Sequence, residues 1–308
     1  MSLRYSLLTY IEISRGFCFS LKTLFLFTKS DFKTVIFPQS VFALAFGLSL
    51  SQTGKVAYIP REILKWRLLS MLLWVWIHLL VENISNQRLP KSVLEDVASK
   101  PWRPIPAGRL TPNEAQNLLR STVPLAMGTS HLLGNFDASV TLMVFVWLYN
   151  DLGGDGAGPR QRNALNAAGL SCFGWGAIQA LLGGDCPLSD FIYKWLMLLA
   201  AVITTTVHAQ DFPDVDGDGA SGRKTMPLIY GQAWSRYGLA VLVLFRSVVC
   251  PAFWHVSSLA IWAMMLLIGG AIATLTTFVW DPFYDRTVWK LWCLWMSVLY
   301  VLPVFGQI

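Results

Sequence analysis

Residues 189–218 read SDFIYKWLMLLAAVITTTVHAQDFPDVDGD, an apolar run that ends on Asp211-Phe212-Pro213-Asp214-Val215-Asp216-Gly217-Asp218. Four carboxylates thus fall within eight residues at the edge of a stretch long enough to cross a bilayer. Spacings of three and four residues set Asp211, Asp214 and Asp218 on one face of a helix, turned toward one point. Asp216 is left for a turn or a supporting position. Such a cluster repels itself without counter-charge, and hard divalent cations such as Mg²⁺ are the usual answer. Mg²⁺ held by a few carboxylates keeps open positions, which phosphate oxygens fill. The stretch predicts a helical membrane chain with a metal–diphosphate site at the end of a span.

The rest of the chain agrees. Its 308 residues are 54% hydrophobic and 14% charged, with a mean hydropathy of +0.49. Those values belong to polytopic membrane proteins and exclude an ordinary soluble enzyme. About nine apolar segments are long enough to span, or nearly span, a bilayer. They lie near 34–51, 66–84, 116–133, 137–150, 164–183, 189–208, 235–251, 256–279 and 286–304. In hydrocarbon the backbone must satisfy its own hydrogen bonds, so these segments are helices and the fold is all-α. We read residues 1–308 as one transmembrane domain, with 1–33 as an N-terminal segment. Within it Phe17–Phe27, flanked by Arg15 and Lys29, has the pattern of an interfacial amphipathic helix. Nothing at the start reads as a cleavable signal peptide.

Lys and Arg crowd the N-terminus and the loops after the second, fourth and sixth segments, through Arg88, Lys91, Arg160 and their neighbours. That bias puts those loops on the cytoplasmic side, against which the loop holding Lys55, Arg61 and Lys65 runs. The net charge of +6 is accounted for by this topology and by anionic lipid headgroups, without a nucleic-acid partner. Cys18, Cys172, Cys186, Cys250 and Cys293 lack metal-ligand spacing and read as small core residues. His78, His131, His208 and His255 read as buried or interfacial rather than ligating.

Polar chemistry gathers in two blocks on the same expected side, Glu82–Asn113 and Gln210–Gly231. In the first, Glu95-Asp96 precede Lys100-Pro101-Trp102-Arg103-Pro104-Ile105-Pro106-Ala107-Gly108-Arg109. Lys100, Arg103 and Arg109 can hydrogen-bond phosphate oxygens, the arginines through a planar fork. A solvated headgroup-contacting loop fits the same residues. In the second block Arg223-Lys224 follow the acid cluster. A calcium loop competes there, because Asp214-Val215-Asp216-Gly217-Asp218-Gly219 matches the first half of one; its twelfth position is Thr225 rather than Glu. A third island, Tyr149-Asn150-Asp151-Leu152-Gly153-Gly154-Asp155, fits either a turn or the site.

Together these blocks resemble the UbiA superfamily of intramembrane prenyltransferases. Asp211-x-x-Asp214-x-x-Gly217-Asp218-x-x-x-Gly222-x-x-Thr225-x-Pro227 is similar to that family's second acid motif, and Lys100 to Arg109 to the tail of its first. The head of the first motif departs: Ser92 stands where a central Asp is usual, and Asn86-Gln87 lie two residues too far upstream. This altered motif, with Glu95-Asp96, resembles the fungal UbiA-type terpene cyclases more than quinone or haem prenyltransferases. The resemblance implies about nine helices around a central cavity and Mg²⁺ on an isoprenoid diphosphate. By it the metal ligands are Asn86, Glu95, Asp96, Asp211, Asp214 and Asp218, with Asp96, Asp211 and Asp214 essential to catalysis. Lys100, Arg103, Arg109, Tyr149, Arg223 and Lys224 would bind the substrate. It implies either a cyclase acting on farnesyl or geranylgeranyl diphosphate or a transferase moving the prenyl group to an acceptor. Trp74, Trp76, Trp147, Trp175 and Phe145 are candidate faces for a carbocation. The expected setting is the bilayer, in the endoplasmic reticulum if the source is eukaryotic, with the motif loops facing the cytosol. A transporter or lipid-binding membrane protein is the non-enzymatic rival.

Overall fold

A computed structural model describes residues 19–52, 60–184, 190–220 and 222–306. Cys18, Cys186, Lys55 and the start of the expected interfacial helix lie outside the described residues. The chain is helical: α1 Phe19–Gln52, α2 Arg61–Gln87, α3 Pro90–Ser99, α4 Pro112–Leu133, α5 Phe136–Asn150, α6 Pro159–Leu182 and α7 Asp190–Thr206. Two short helices, α8 Val215–Ala220 and α9 Met226–Tyr230, lead to α10 Gln232–Phe253, α11 Leu259–Phe278 and α12 Pro282–Phe305. Among the described residues seven helices are long and apolar enough to cross a membrane. The two remaining expected spans are α4, which carries more polar residues, and the 15-residue α5.

Helix ends follow local chemistry. Pro90, Pro112, Pro159 and Pro282 open their helices, where a missing N–H costs nothing. Thr111 and Glu114 close a capping box on α4, and Gly134 ends it at φ 72°. The expected N-terminal amphipathic helix and first span are one continuous run. No proline or glycine interrupts residues 19–37, so helical hydrogen bonding carries through. Its register shifts instead, through a 3₁₀ turn at Lys29–Asp31 and a π turn at Phe32–Ile36. Such bulges turn polar side chains inward within a helix.

Neighbouring helices pack in the order α2–α4, α4–α5, α5–α6, α6–α7, α7–α10, α10–α11 and α11–α12, and α12 returns to α1. The core is tight between α2 and α6: a Cβ on Gly176 would stand 1.9 Å from the Trp74 ring. His78 bonds the Trp74 carbonyl at 2.8 Å and the Ser139 hydroxyl at 2.7 Å, tying α2 to α5. The outer faces carry Leu132, Leu259 and Phe278, each more than four-fifths exposed, as lipid contact requires. The protein is an all-helical, polytopic membrane protein.

Candidate active site

The acid motifs meet at one end of a cavity of about 420 Å³. Asp211 sits between two 3₁₀ turns, Val207–Gln210 and Phe212–Asp214, which Pro213 favours because it offers no N–H to an α-helical ladder. A 3₁₀ turn eclipses positions three apart, so Asp211 and Asp214 keep a common direction. The following α8 brings round Asp218, and all three line the cavity. Asp216 faces solvent. Because Val215–Ala220 is helical, the stretch is not a calcium loop.

The first motif arrives from α2 and α3. Asn86, Ser92, Glu95, Asp96, Lys100 and Arg103 line the same cavity. Asn86 donates to the Asn150 side chain at 3.0 Å, beside Tyr149 on α5. Buried Asp96 takes both its oxygens' contacts from Arg103 Nη1, at 2.8 Å each. Burial pushes the Asp96 carboxyl above the ordinary aspartate range, and Arg103 beside it offsets only part of that rise. Arg223 joins the motifs: its Nη2 lies 2.7 Å from Glu95 and its Nη1 3.3 Å from Asp218.

Two expected substrate contacts stand elsewhere. Arg109 donates to Thr23 at 3.0 Å and to the Phe19 carbonyl at 2.9 Å, and its guanidinium stacks on the Phe19 ring. With Lys29 over the Trp102 ring, it pins the motif loop to α1. Lys224 is exposed and off the cavity wall. Asp151 pairs with Arg88, and Asp155 is not on the wall.

Several site residues escaped sequence reasoning. Arg162 on α6 is buried and holds Asp211 at 2.6 Å, although its position suggested only a topology charge. The 3₁₀ turn of α1 delivers Asp31, its π turn Lys33, and α12 delivers Arg286. Glu82 also lines the cavity from α2; a carboxylate inside an apolar segment was its signal. Among the described residues, seven carboxylates and six Lys or Arg side chains line this cavity.

Away from the charges the wall turns apolar, through Leu142, Phe145, Leu170, Phe173, Trp289 and Trp292. Only Phe145 of the expected aromatic faces is there. Trp74 is instead a core residue bonded to Ser130 at 2.8 Å, Trp76 bonds Thr28 at 3.3 Å, and Trp147 is half exposed. The arrangement joins a highly charged mouth, rich in oxygen ligands and guanidinium groups, to an aromatic chamber. It can hold a polyanionic head with an apolar tail.

The likeness to known proteins runs over most of the chain. The chain is similar to fumagillin beta-trans-bergamotene synthase of Aspergillus fumigatus, 28% identical over 94% of this chain and 93% of that one. It is also similar to a polyprenyl transferase of Hericium erinaceus, 27% identical over 71% of this chain and 72% of the relative. A solved UbiA homolog from Archaeoglobus fulgidus, bound to GPP and Mg²⁺, superposes with a TM-score of 0.64 at 13% identity. That match covers 91% of this chain and 99% of the other, and at such identity it speaks for the fold alone. The sequence pattern of the UbiA prenyltransferase family matches residues 40–299, through both acid motifs. The chain belongs to the UbiA prenyltransferase family.

Proposed function

We propose that the protein is a Mg²⁺-dependent terpene cyclase that ionises a linear prenyl diphosphate, farnesyl or geranylgeranyl, and cyclises the carbocation. The observation that carries this reading is the junction of the charged mouth with an aromatic chamber in one cavity. The near full-length similarity to a bergamotene synthase favours cyclisation.

The residues suit a hard cation in kind, while among the described residues no three carboxylates are gathered closely enough to enclose one. Every candidate ligand offers oxygen, as a hard cation prefers. The second oxygen of buried Asp211 has no hydrogen-bond partner. Among the described residues seven carboxylates already line the wall, so a diphosphate would crowd it with further negative charge unless divalent ions accompany it. Asp211, Asp214 and Asp218 would hold Mg²⁺ from one side, and Asn86, Glu95 and Asp96 from the other. Bound there, it would supply Lewis acidity toward the diphosphate oxygens.

Arg103, Arg223, Lys100, Arg162, Lys33 and Arg286 surround the position of the leaving group and stabilise its charge. The C–O bond breaks, its electron pair leaves with the diphosphate, and an allylic cation remains. Phe145, Phe173, Trp289 and Trp292 exclude water and offer their ring faces to that cation. A distal double bond of the same chain attacks, and proton loss or water capture ends the reaction. The setting is the bilayer, with the charged mouth on the cytosolic face and, in a eukaryote, in the endoplasmic reticulum. Residues 1–308 act as one domain.

The similarity to a polyprenyl transferase supports a second reading, in which an aromatic or other acceptor attacks the same cation. Membranes carrying the protein, given Mg²⁺ and farnesyl or geranylgeranyl diphosphate alone, should release a cyclic terpene plus diphosphate, and EDTA should stop it. Product that forms only when an acceptor is added would replace the cyclase with the transferase.

A further inference from the structure

The apolar chamber has a defined depth. Helix α6 sends Arg162, Leu165, Asn166, Gly169, Leu170 and Phe173 to the cavity, a stripe repeating every three to four residues. From Arg162 to Phe173 it descends about 16 Å at 1.5 Å per residue. Its chemistry changes along the way from a buried cation to an aromatic ring. Helix α12 runs beside it with Arg286, Trp289 and Trp292, also charged first and aromatic after.

One residue on each of these helices differs from the rest, Gly169 on α6 and Trp292 on α12. A Cβ added to Gly169 would meet nothing within 4 Å, so this glycine faces the open chamber. The other described glycines of α6 that support packing do the opposite: Gly174 would touch Phe42 at 2.9 Å and Gly176 would enter the Trp74 ring. Gly169 therefore contributes empty volume rather than helix–helix contact. Trp292 closes the chamber. It is almost fully buried, its indole N–H donates to Thr206 at 3.0 Å, and its ring stacks on Trp289 at 5.0 Å and 16°. Beside it lies a void of about 10 Å³, lined by Pro38, Cys293, Met296 and Tyr300 and sharing Lys33, Thr34, Leu170 and Trp292 with the main cavity. The indole thus forms part of the wall between a large space and a small one.

We infer that Gly169 and Trp292 set the length of prenyl chain the protein accepts, Gly169 by leaving room along the tail and Trp292 by stopping its end. This rests on the prenyl diphosphate reading above but holds equally for a cyclase or a transferase. A single methylene in an apolar pocket changes discrimination about 10–200-fold, so a whole isoprene unit against an immobile indole is well resolved.

The test offers geranyl, farnesyl and geranylgeranyl diphosphates in competition to wild type, Gly169→Leu, Trp292→Ala and Trp292→Phe, with products sorted by carbon number. Gly169→Leu should cut use of the longest chain that wild type takes by tenfold or more, relative to the shorter ones. Trp292→Ala should shift use tenfold or more toward longer chains. Trp292→Phe, which keeps an aromatic wall, should shift it less in the same direction if the alanine variant does not accumulate. An active wild type whose chain-length ratios stay unchanged in both Gly169→Leu and Trp292→Phe, or fall uniformly, overturns this inference alone. A wild type inert toward all three diphosphates, with and without acceptor, overturns the catalytic reading and this inference with it.

Discussion

Arg223 grips Glu95 with both prongs of its guanidinium, Nη2 to Oε2 at 2.7 Å and Nη1 to Oε1 at 3.0 Å, across 128 residues of sequence. The same Nη1 reaches Asp218 at 3.3 Å, so one side chain ties the two acid motifs together. Asp96 and Asp211 have arginines of their own, Arg103 and Arg162. Each half of the site thus carries its own counter-charge, which limits the repulsion between carboxylates before any ligand arrives.

Arg223→Met should therefore cost more than one phosphate contact. Loss of a single preorganised donor typically lowers turnover about 10²–10³-fold, and here Glu95 also loses its partner. In a double-mutant cycle, Arg223→Met and Glu95→Gln should couple by about 0.5–3 kcal/mol in kcat/KM. Strictly additive losses would show that the pair does not act as a unit.

Arg162→Met should leave Asp211 buried with no cation beside it. Turnover should fall about 10²-fold or more, and the Mg²⁺ concentration needed for half activity should change with it. A Mg²⁺ titration of wild type and variant reads both effects. An unchanged titration with full activity would remove Arg162 from the site.

Much of this was legible in residue order. The acid cluster Asp211–Asp218 and the loop Lys100–Arg109 carry their chemistry within one stretch, and the apolar segments announce their helices by length. Arg162 was not legible, because a lone arginine at a span end reads as topology until its neighbour across the fold is known. Lys33 and Asp31 escaped for a different reason: a π turn and the 3₁₀ turn before it, invisible to a pattern of 3.6 residues, decide which way they point. Arg109 shows the converse: its motif position suggests phosphate, whereas the structure places it off the cavity wall with a 3.0 Å bond to Thr23. Of the expected aromatic faces only Phe145 lines the cavity, since fourteen tryptophans cannot be sorted into wall and core without packing.

The pH profile should carry the mark of Asp96. Its folded pKa is raised, by burial first and against the pull of Arg103, so protonation begins at higher pH than for an ordinary aspartate. If the ionised carboxylate is the working form, kcat/KM falls as pH drops through that raised value. Arg103→Met removes the group that lowers it, so the acidic limb should move to still higher pH. An acidic limb that stays in place in Arg103→Met would show that another group controls it.

Asp211 is also held in place through its neighbour Phe212. Arg236 on α10 forks onto Asp285 of α12 at 2.7 and 2.8 Å, gives its remaining donors to Gln232 and the Thr276 carbonyl, and stacks on the Phe212 ring at 4.4 Å. All five N–H groups are used and the pair is almost fully buried. Phe212 follows Asp211 directly, and Asp285 precedes the cavity-lining Arg286, so this clamp orders both walls of the mouth. Removing one partner strands a buried charge, which typically costs about 3–5 kcal/mol. Thermal unfolding in detergent should show that loss for Arg236→Met and for Asp285→Leu. Arg236→Lys should recover little, because an ammonium cannot fork. The double variant Arg236→Met/Asp285→Leu should be more stable than either single one, since no charge is left unpaired. Losses that simply add in the double variant would mean that the two residues stabilise the fold independently.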